Sequence, residues 1–136
     1  MDVQPFGWNG SSWIAKKTAN VFKTVTFTTT GGTVWTPATG KKFRLLGFSL
    51  GLAGNTIQAV AGVNTVTFTD GGVAMPIAVP LYIPAASLNV LGVAYTRSGA
   101  LDDGIVSAAA NNVLAISYPN ALTAGALTVF VYGIEE

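Results

Sequence analysis

Apolar residues in this sequence recur at every second position in short runs, glycine, proline and asparagine corners separate the runs, and no stretch carries a persuasive helical period. Period-two alternation marks strands, whose successive side chains leave on opposite faces. Thr24 to Thr30 shows it most cleanly, with Val25 and Phe27 on one face and Thr24, Thr26, Thr28 and Thr30 on the other. Thr65 to Thr69 repeats the pattern with Val66 and Phe68 inward, and Leu127, Val129 and Val131 alternate with Thr128, Phe130 and Tyr132. Counting such runs gives about eight strands, which predicts an all-β chain: a single-domain β-sandwich, jelly-roll-like, with an N-terminal arm.

The stretch from Trp35 to Leu50 organises the rest: a Pro37 corner, the basic cluster Lys41, Lys42 and Arg44, then the longest strand. Strict alternation sends Phe43, Leu45 and Gly47 one way and Arg44, Leu46, Phe48 and Leu50 the other. Both faces are then largely apolar, which predicts a strand inside a sandwich or against a neighbouring subunit. Gly31-Gly32 reads as a tight two-residue hairpin returning through Thr33-Val34-Trp35, and Asp70-Gly71-Gly72 as a second turn. Pro76, Pro80 and Pro84 keep Val73 to Pro84 extended but out of a central position, because proline offers no ladder donor. Gly51 to Thr56 and Thr96 to Gly104 read as loops, Ile57 to Val60 and Ser87 to Tyr95 as strands, and Ile105 to Ala110 as the one candidate for a turn of helix.

Residues 1–20 hold Phe6, Trp8 and Trp13 on a glycine-rich, non-periodic segment followed by Lys16 and Lys17. Aromatics so placed cannot easily bury themselves, so the segment reads as an arm that packs onto its own domain or a partner, with residues 21–136 as the sandwich domain; the alternative is a first strand tucked into the sandwich.

Half of the 136 residues are hydrophobic and 10% are charged, against roughly 25% charged in ordinary soluble domains. That deficit predicts apolar area hidden by association, in an obligate oligomer or a lattice-bound subunit. No apolar run is long enough to cross a membrane as a helix, and the first residues lack the pattern of a secretory signal, so no membrane association or Sec export is expected. Through Arg44 the chain holds six basic residues against one acid, and beyond it one against five. Strands of a sandwich intermingle, so sequence halves need not be spatial halves.

Cysteine and histidine are both absent, which removes the commonest nucleophile, general base and transition-metal ligands. No Ser-x-x-Lys element, paired glycosidase carboxylates, phosphate-binding glycine pattern or basic-aromatic nucleic-acid face is present. Asp102-Asp103-Gly104 supplies too few oxygens for a calcium loop and reads as an Asp-Gly turn. The expectation is no enzyme, no cofactor, no metal and no nucleic-acid partner.

The run Trp35-Thr36-Pro37-Ala38-Thr39-Gly40-Lys41-Lys42-Phe43-Arg44-Leu45-Leu46-Gly47-Phe48, the low-charge all-β body and the terminal Val129-Phe130-Val131-Tyr132-Gly133-Ile134-Glu135 resemble small virion proteins of tailed phages, and more narrowly capsid decoration, or cement, proteins. The resemblance implies a structural virion protein, made in the host cytoplasm and carried on the capsid surface. It also implies a homotrimer seated on the major capsid protein lattice of an expanded head, with an arm reaching over neighbouring subunits. The arm residues Phe6, Trp8, Trp13, Lys16 and Lys17 are the expected partner contacts. The alternative is a tail or fibre component, or a carbohydrate-binding module, that recognises a host surface glycan.

Overall fold

The computed structural model describes residues 6–8, 13–15, 17–56, 62–83, 93–122 and 124–136. Ten strands follow in chain order: β1 (Phe6–Trp8), β2 (Trp13–Ala15), β3 (Val21–Phe27), β4 (Gly31–Trp35), β5 (Phe43–Thr56), β6 (Gly62–Asp70), β7 (Val73–Ile83), β8 (Val93–Val106), β9 (Leu114–Ser117) and β10 (Ala124–Glu135). β1 and β2 pair as a separate hairpin, while the other eight form two four-stranded antiparallel sheets in the orders β3-β10-β5-β8 and β4-β9-β6-β7. Every connection among those eight changes sheet except β6 to β7. Eight strands so interleaved make a jelly roll, the architecture that the turn spacing predicted.

Inward side chains of both sheets fill one core, in which Trp35, Phe43, Leu45, Leu50, Phe68, Leu114, Leu127 and Val129 are almost wholly buried. Trp35 lies 5.7 Å from Phe43, ring centre to ring centre, and Phe48 lies 5.1 Å from Phe68 across the two sheets.

The expectation of two apolar faces on β5 is overturned by a register shift. On β10, Tyr132 pairs with Gly47 but Gly133 pairs with Leu45; on β8, Gly47 pairs with Ala100 but Leu45 pairs with Ile105. Leu46 is the extra residue against β10, and on the other side Leu101 to Gly104 bulge from β8 opposite it, so the alternation resets and Phe43, Leu45, Phe48, Leu50 and Leu52 all enter the core. Among the side chains described, the opposite face of β5 past the shift then carries Gly47, Ser49, Gly51 and Ala53. Leu46 is buried outside the central core, beside Gly104 at the irregularity in β8.

Other expectations change for related reasons. Gly31 and Gly32 do have positive φ, at 113° and 157°, but β3 and β4 lie in different sheets, so the corner is a sheet-to-sheet crossing and not a hairpin. Asp70 pairs with Val73 around Gly71 and Gly72, whose φ values of 55° and 89° make this the true two-residue hairpin. Thr96 to Gly104 belongs to β8, its polar side chains wet because β8 is an edge strand, and Gly51 to Thr56 continues β5. Residues 107–113 form bends and a turn, not helix, closed by Asn111 at φ 65°. β7 is an edge strand carrying Pro76 and Pro80, as expected of proline. The expected strand at Ile57 to Val60, Pro84, and the first part of the one at Ser87 to Tyr95 lie outside the described residues.

Asn64, buried on β6, clamps the turn between β9 and β10. Its amide donates to the Asn120 carbonyl at 2.9 Å and its oxygen accepts from the Asn120 N–H at 3.2 Å, as a ladder neighbour would. Replacing it by leucine leaves that carbonyl and N–H without these partners, and we expect a loss of about 1–3 kcal/mol in urea unfolding. Tyr118 is the opposite case, because its hydroxyl is buried with no partner among the described residues, and burial raises its pKa. Tyr118→Phe is expected to hold or raise stability by about 1 kcal/mol in the same experiment, and a clear loss would show that the hydroxyl is satisfied.

Candidate functional site

The charges of the described residues sit at strand ends, edges and turns. Arg44, at the start of β5, makes a two-pronged ion pair with Glu136 (Nε to Oε2 3.1 Å, Nη2 to Oε1 2.9 Å), while its Nη1 donates to the Asp103 carbonyl at 2.7 Å. Next to it the Trp35 indole donates to the Glu135 carboxylate at 3.0 Å, and the Lys42 and Glu136 backbones exchange two hydrogen bonds. Lys42 Nζ donates to the Ala108 carbonyl at 3.1 Å. These contacts tie the chain end and the 107–113 turn to the start of β5, so most of the basic cluster seen in sequence is engaged internally.

Catalytic constellations do not arise from these groups. Asp70 accepts from the Ala108 N–H at 2.6 Å and from the Asn112 amide at 2.8 Å, which fixes it as the brace of the neighbouring turn. The cleft beside it, about 260 Å³, is lined chiefly by Val73, Met75, Pro76 and Ile105, with both Asp70 oxygens already engaged. Asp102 and Asp103 are exposed on β8. Among the described residues, no cluster of carboxylates suited to a metal ion occurs.

The surface with a distinctive build is the outer face of the β3-β10-β5-β8 sheet. Phe22, Thr24 and Thr26 of β3 stand beside Tyr132, Phe130 and Thr128 of β10, which stand beside Gly47, Ser49 and Gly51 of β5, and these beside Ala100, Ser98 and Thr96 of β8. None of these twelve residues is charged. Phe22 and Phe130 stack with ring centres 6.5 Å apart, Phe130 and Tyr132 lie 6.0 Å apart, and Phe22 is 62% exposed. The aromatic row forms a ridge over β3 and β10; glycine, serine, alanine and threonine floor a trough over β5 and β8. Gly47 is required at the border, since a Cβ there would run into the Tyr132 ring.

The expected contact residues fall elsewhere. Phe6, Trp8 and Trp13 belong to the β1–β2 hairpin, whose register sets Trp8 opposite Trp13 and Phe6 opposite Ala15. Lys16 lies outside the described residues. Lys17 is exposed, and its charge acts on Glu136. The ridge residues Phe22, Phe130 and Tyr132 were not singled out from the sequence. The signal was present in the alternation of residues 127–132, where two aromatics share the face opposite Leu127, Val129 and Val131.

The hydrogen bond from Arg44 holds the Glu136 carboxyl below its ordinary pKa, helped by the charges of Arg44, Lys17 and Lys42 against slight burial. A lowered folded-state pKa contributes stability above the unfolded value, lost as pH falls through the folded one. Glu136→Gln should therefore lower stability at neutral pH, and the gap from the parent protein should close as the pH falls below the ordinary glutamate range in denaturant titrations. A gap that stays constant with pH would mean that the ion pair contributes nothing.

No protein-family model and no curated protein matches the chain. Among solved structures it is similar to a chain of the cyanophage Pam1 capsid asymmetric unit, with 19% identity, a TM-score of 0.48, and coverage of 98% of this chain and 92% of that one.

Proposed function

We propose that this chain is a structural, non-enzymatic virion protein that decorates and reinforces an expanded phage head as a homotrimer. The observation that carries the reading is the uncharged aromatic ridge and trough on a jelly-roll body whose charges are confined to its ends, edges and turns. Such a face suits burial against protein, because covering it strands no ion and removes large apolar rings from water. The low overall charge and the resemblance of the Trp35 to Phe48 run support the same reading. A jelly roll by itself serves capsids, lectins and enzymes alike, so the argument rests on the surface and not on the fold.

Residues 1–20 act in this proposal as the arm, with Phe6, Trp8, Trp13, Lys16 and Lys17 contacting the lattice. A protein that binds the expanded shell and not its precursor stabilises the expanded state by mass action. Glycan recognition has less support: the aromatic rings would stack on sugars, but the face offers only hydroxyls beside them, with no amide, carboxylate or guanidinium to fix a sugar in place.

Deleting residues 1–17 should leave cooperative unfolding intact and weaken binding to empty expanded heads of the cognate phage by about ten-fold or more, read by co-sedimentation. Unchanged binding would remove the arm from the mechanism. Failure of the full-length chain to bind would remove the decoration role.

A further inference from the structure

β3 and β8 end the β3-β10-β5-β8 sheet, and among the described residues no strand pairs beyond either of them. Their outer rows, Phe22, Thr24 and Thr26 on β3 and Thr96, Ser98 and Ala100 on β8, are exposed and uncharged. A single charge stands instead in the inward row of each. On β3, Val25 lies beside Val129 and Phe27 beside Leu127, and Lys23 lies in the same row beside Val131, all three β10 partners being core residues. On β8, Arg97 lies beside Leu50 and Gly99 beside Phe48, again core residues. Lys23 and Arg97 are nonetheless exposed. A stem that starts on the core side reaches water only past the open edge of the sheet.

Solubility does not account for this placement, because a charge serves solubility at least as well on the outer rows, which carry none. The two rows differ in what a further strand does to them. A strand added beside β3 or β8 leaves the outer rows open to water, whereas its own inward side chains close the gap through which the Lys23 or Arg97 charge meets solvent. A charge so enclosed must find a partner or lose its hydration, and either requirement opposes the addition.

Both edges have need of such a guard. β3 holds Val21, Phe22, Val25 and Phe27 with threonine between them, residues 93–101 hold neither proline nor acid, and Lys23 and Arg97 are the only charges of the two segments. Segments of that composition on a free edge are templates for pairing with further chains. The other sheet closes its edges by different means. β7 lacks the N–H of Pro76 and Pro80, and β4 is five residues long with a register shift between Thr33 and Trp35.

We infer that Lys23 and Arg97 block the two edges of the β3-β10-β5-β8 sheet against a further strand, from a second copy or from a neighbouring protein, and so hold the sheet at four strands. Contacts of this sheet with other molecules are thereby left to its outer face. The inference does not depend on what that face binds.

Lys23→Val combined with Arg97→Val should lower the concentration at which the chain associates by about ten-fold or more in light scattering, with a rise in the infrared band of intermolecular β-structure and cooperative urea unfolding retained. Lys17→Val with Lys41→Val makes the same change in net charge at exposed residues outside the strands, and should behave as the parent protein. Lys23→Glu with Arg97→Glu keeps a charge in each inward row and should also stay with the parent. Equal association of the Lys17 and Lys41 pair would reduce the effect to net charge and overturn the inference. So would association of the glutamate pair, or a valine pair that stays with the parent. If loss of the Arg97 contacts unfolds the valine pair, Lys23→Val alone decides by the same measurement. Association above that of Lys17→Val supports the blocking role, and equality overturns it.

Discussion

One inserted residue sets the character of both sides of the β3-β10-β5-β8 sheet. Because Leu46 is extra relative to β10, with Leu101 to Gly104 bulging opposite it on β8, the alternation of β5 resets in mid-strand, and Phe43 and Leu45 share a face with Phe48, Leu50 and Leu52. Without that reset, either the first pair or the later three would point into solvent, and β5, the strand between β10 and β8, would lose about half of its contribution to the core. The same reset leaves glycine and serine on the outer face. Tyr132 lies across Gly47 for that reason, and the aromatic ridge has a floor beside it.

A core filled from both sheets leaves few places for charge. Arg44 and Glu136 form a two-pronged pair at the start of β5, Asp70 braces the 107–113 turn, and Asp102 and Asp103 occupy an edge strand. Each charge therefore sits where water or a fixed partner is at hand, and the broad outer face past Arg44 carries none. This partition links the low charge content of the sequence to the proposed role. A surface without charge costs little to desolvate, and exposed stacked rings gain from being covered.

Much of the architecture was legible in advance because strand alternation and turn chemistry are local. The runs at Thr24 to Thr30, Thr65 to Thr69 and Leu127 to Tyr132 gave β3, β6 and β10 with the expected residues inward, except that β3 ends at Phe27 and Thr28 to Thr30 bend away, and Asp70-Gly71-Gly72 became a hairpin. Local chemistry also misled where long-range pairing takes over. Gly31 and Gly32 have the backbone that a hairpin wants, yet β4 finds its partner in β9 far along the chain. Thr96 to Gly104 has the composition of a loop, yet Thr96 to Ala100 pairs with β5 on the sheet's edge, and Leu101 to Gly104 leaves that ladder at the irregularity before Ile105. The candidate surface was half visible: Phe130 and Tyr132 stood on the face opposite the core residues, but their junction with Phe22 required the register of β3 on β10.

By itself the sequence determined that this chain is all-β, poor in charge, without cysteine or histidine, and constrained by proline at one edge, because these are properties of composition and of neighbours along the backbone. Only the tertiary structure decided which way the two ends of β5 face, which strands lie side by side, and that Phe22, Phe130 and Tyr132 form one exposed row. A register shift is invisible in a single strand, since an extra residue is extra only relative to the neighbour that it fails to pair with.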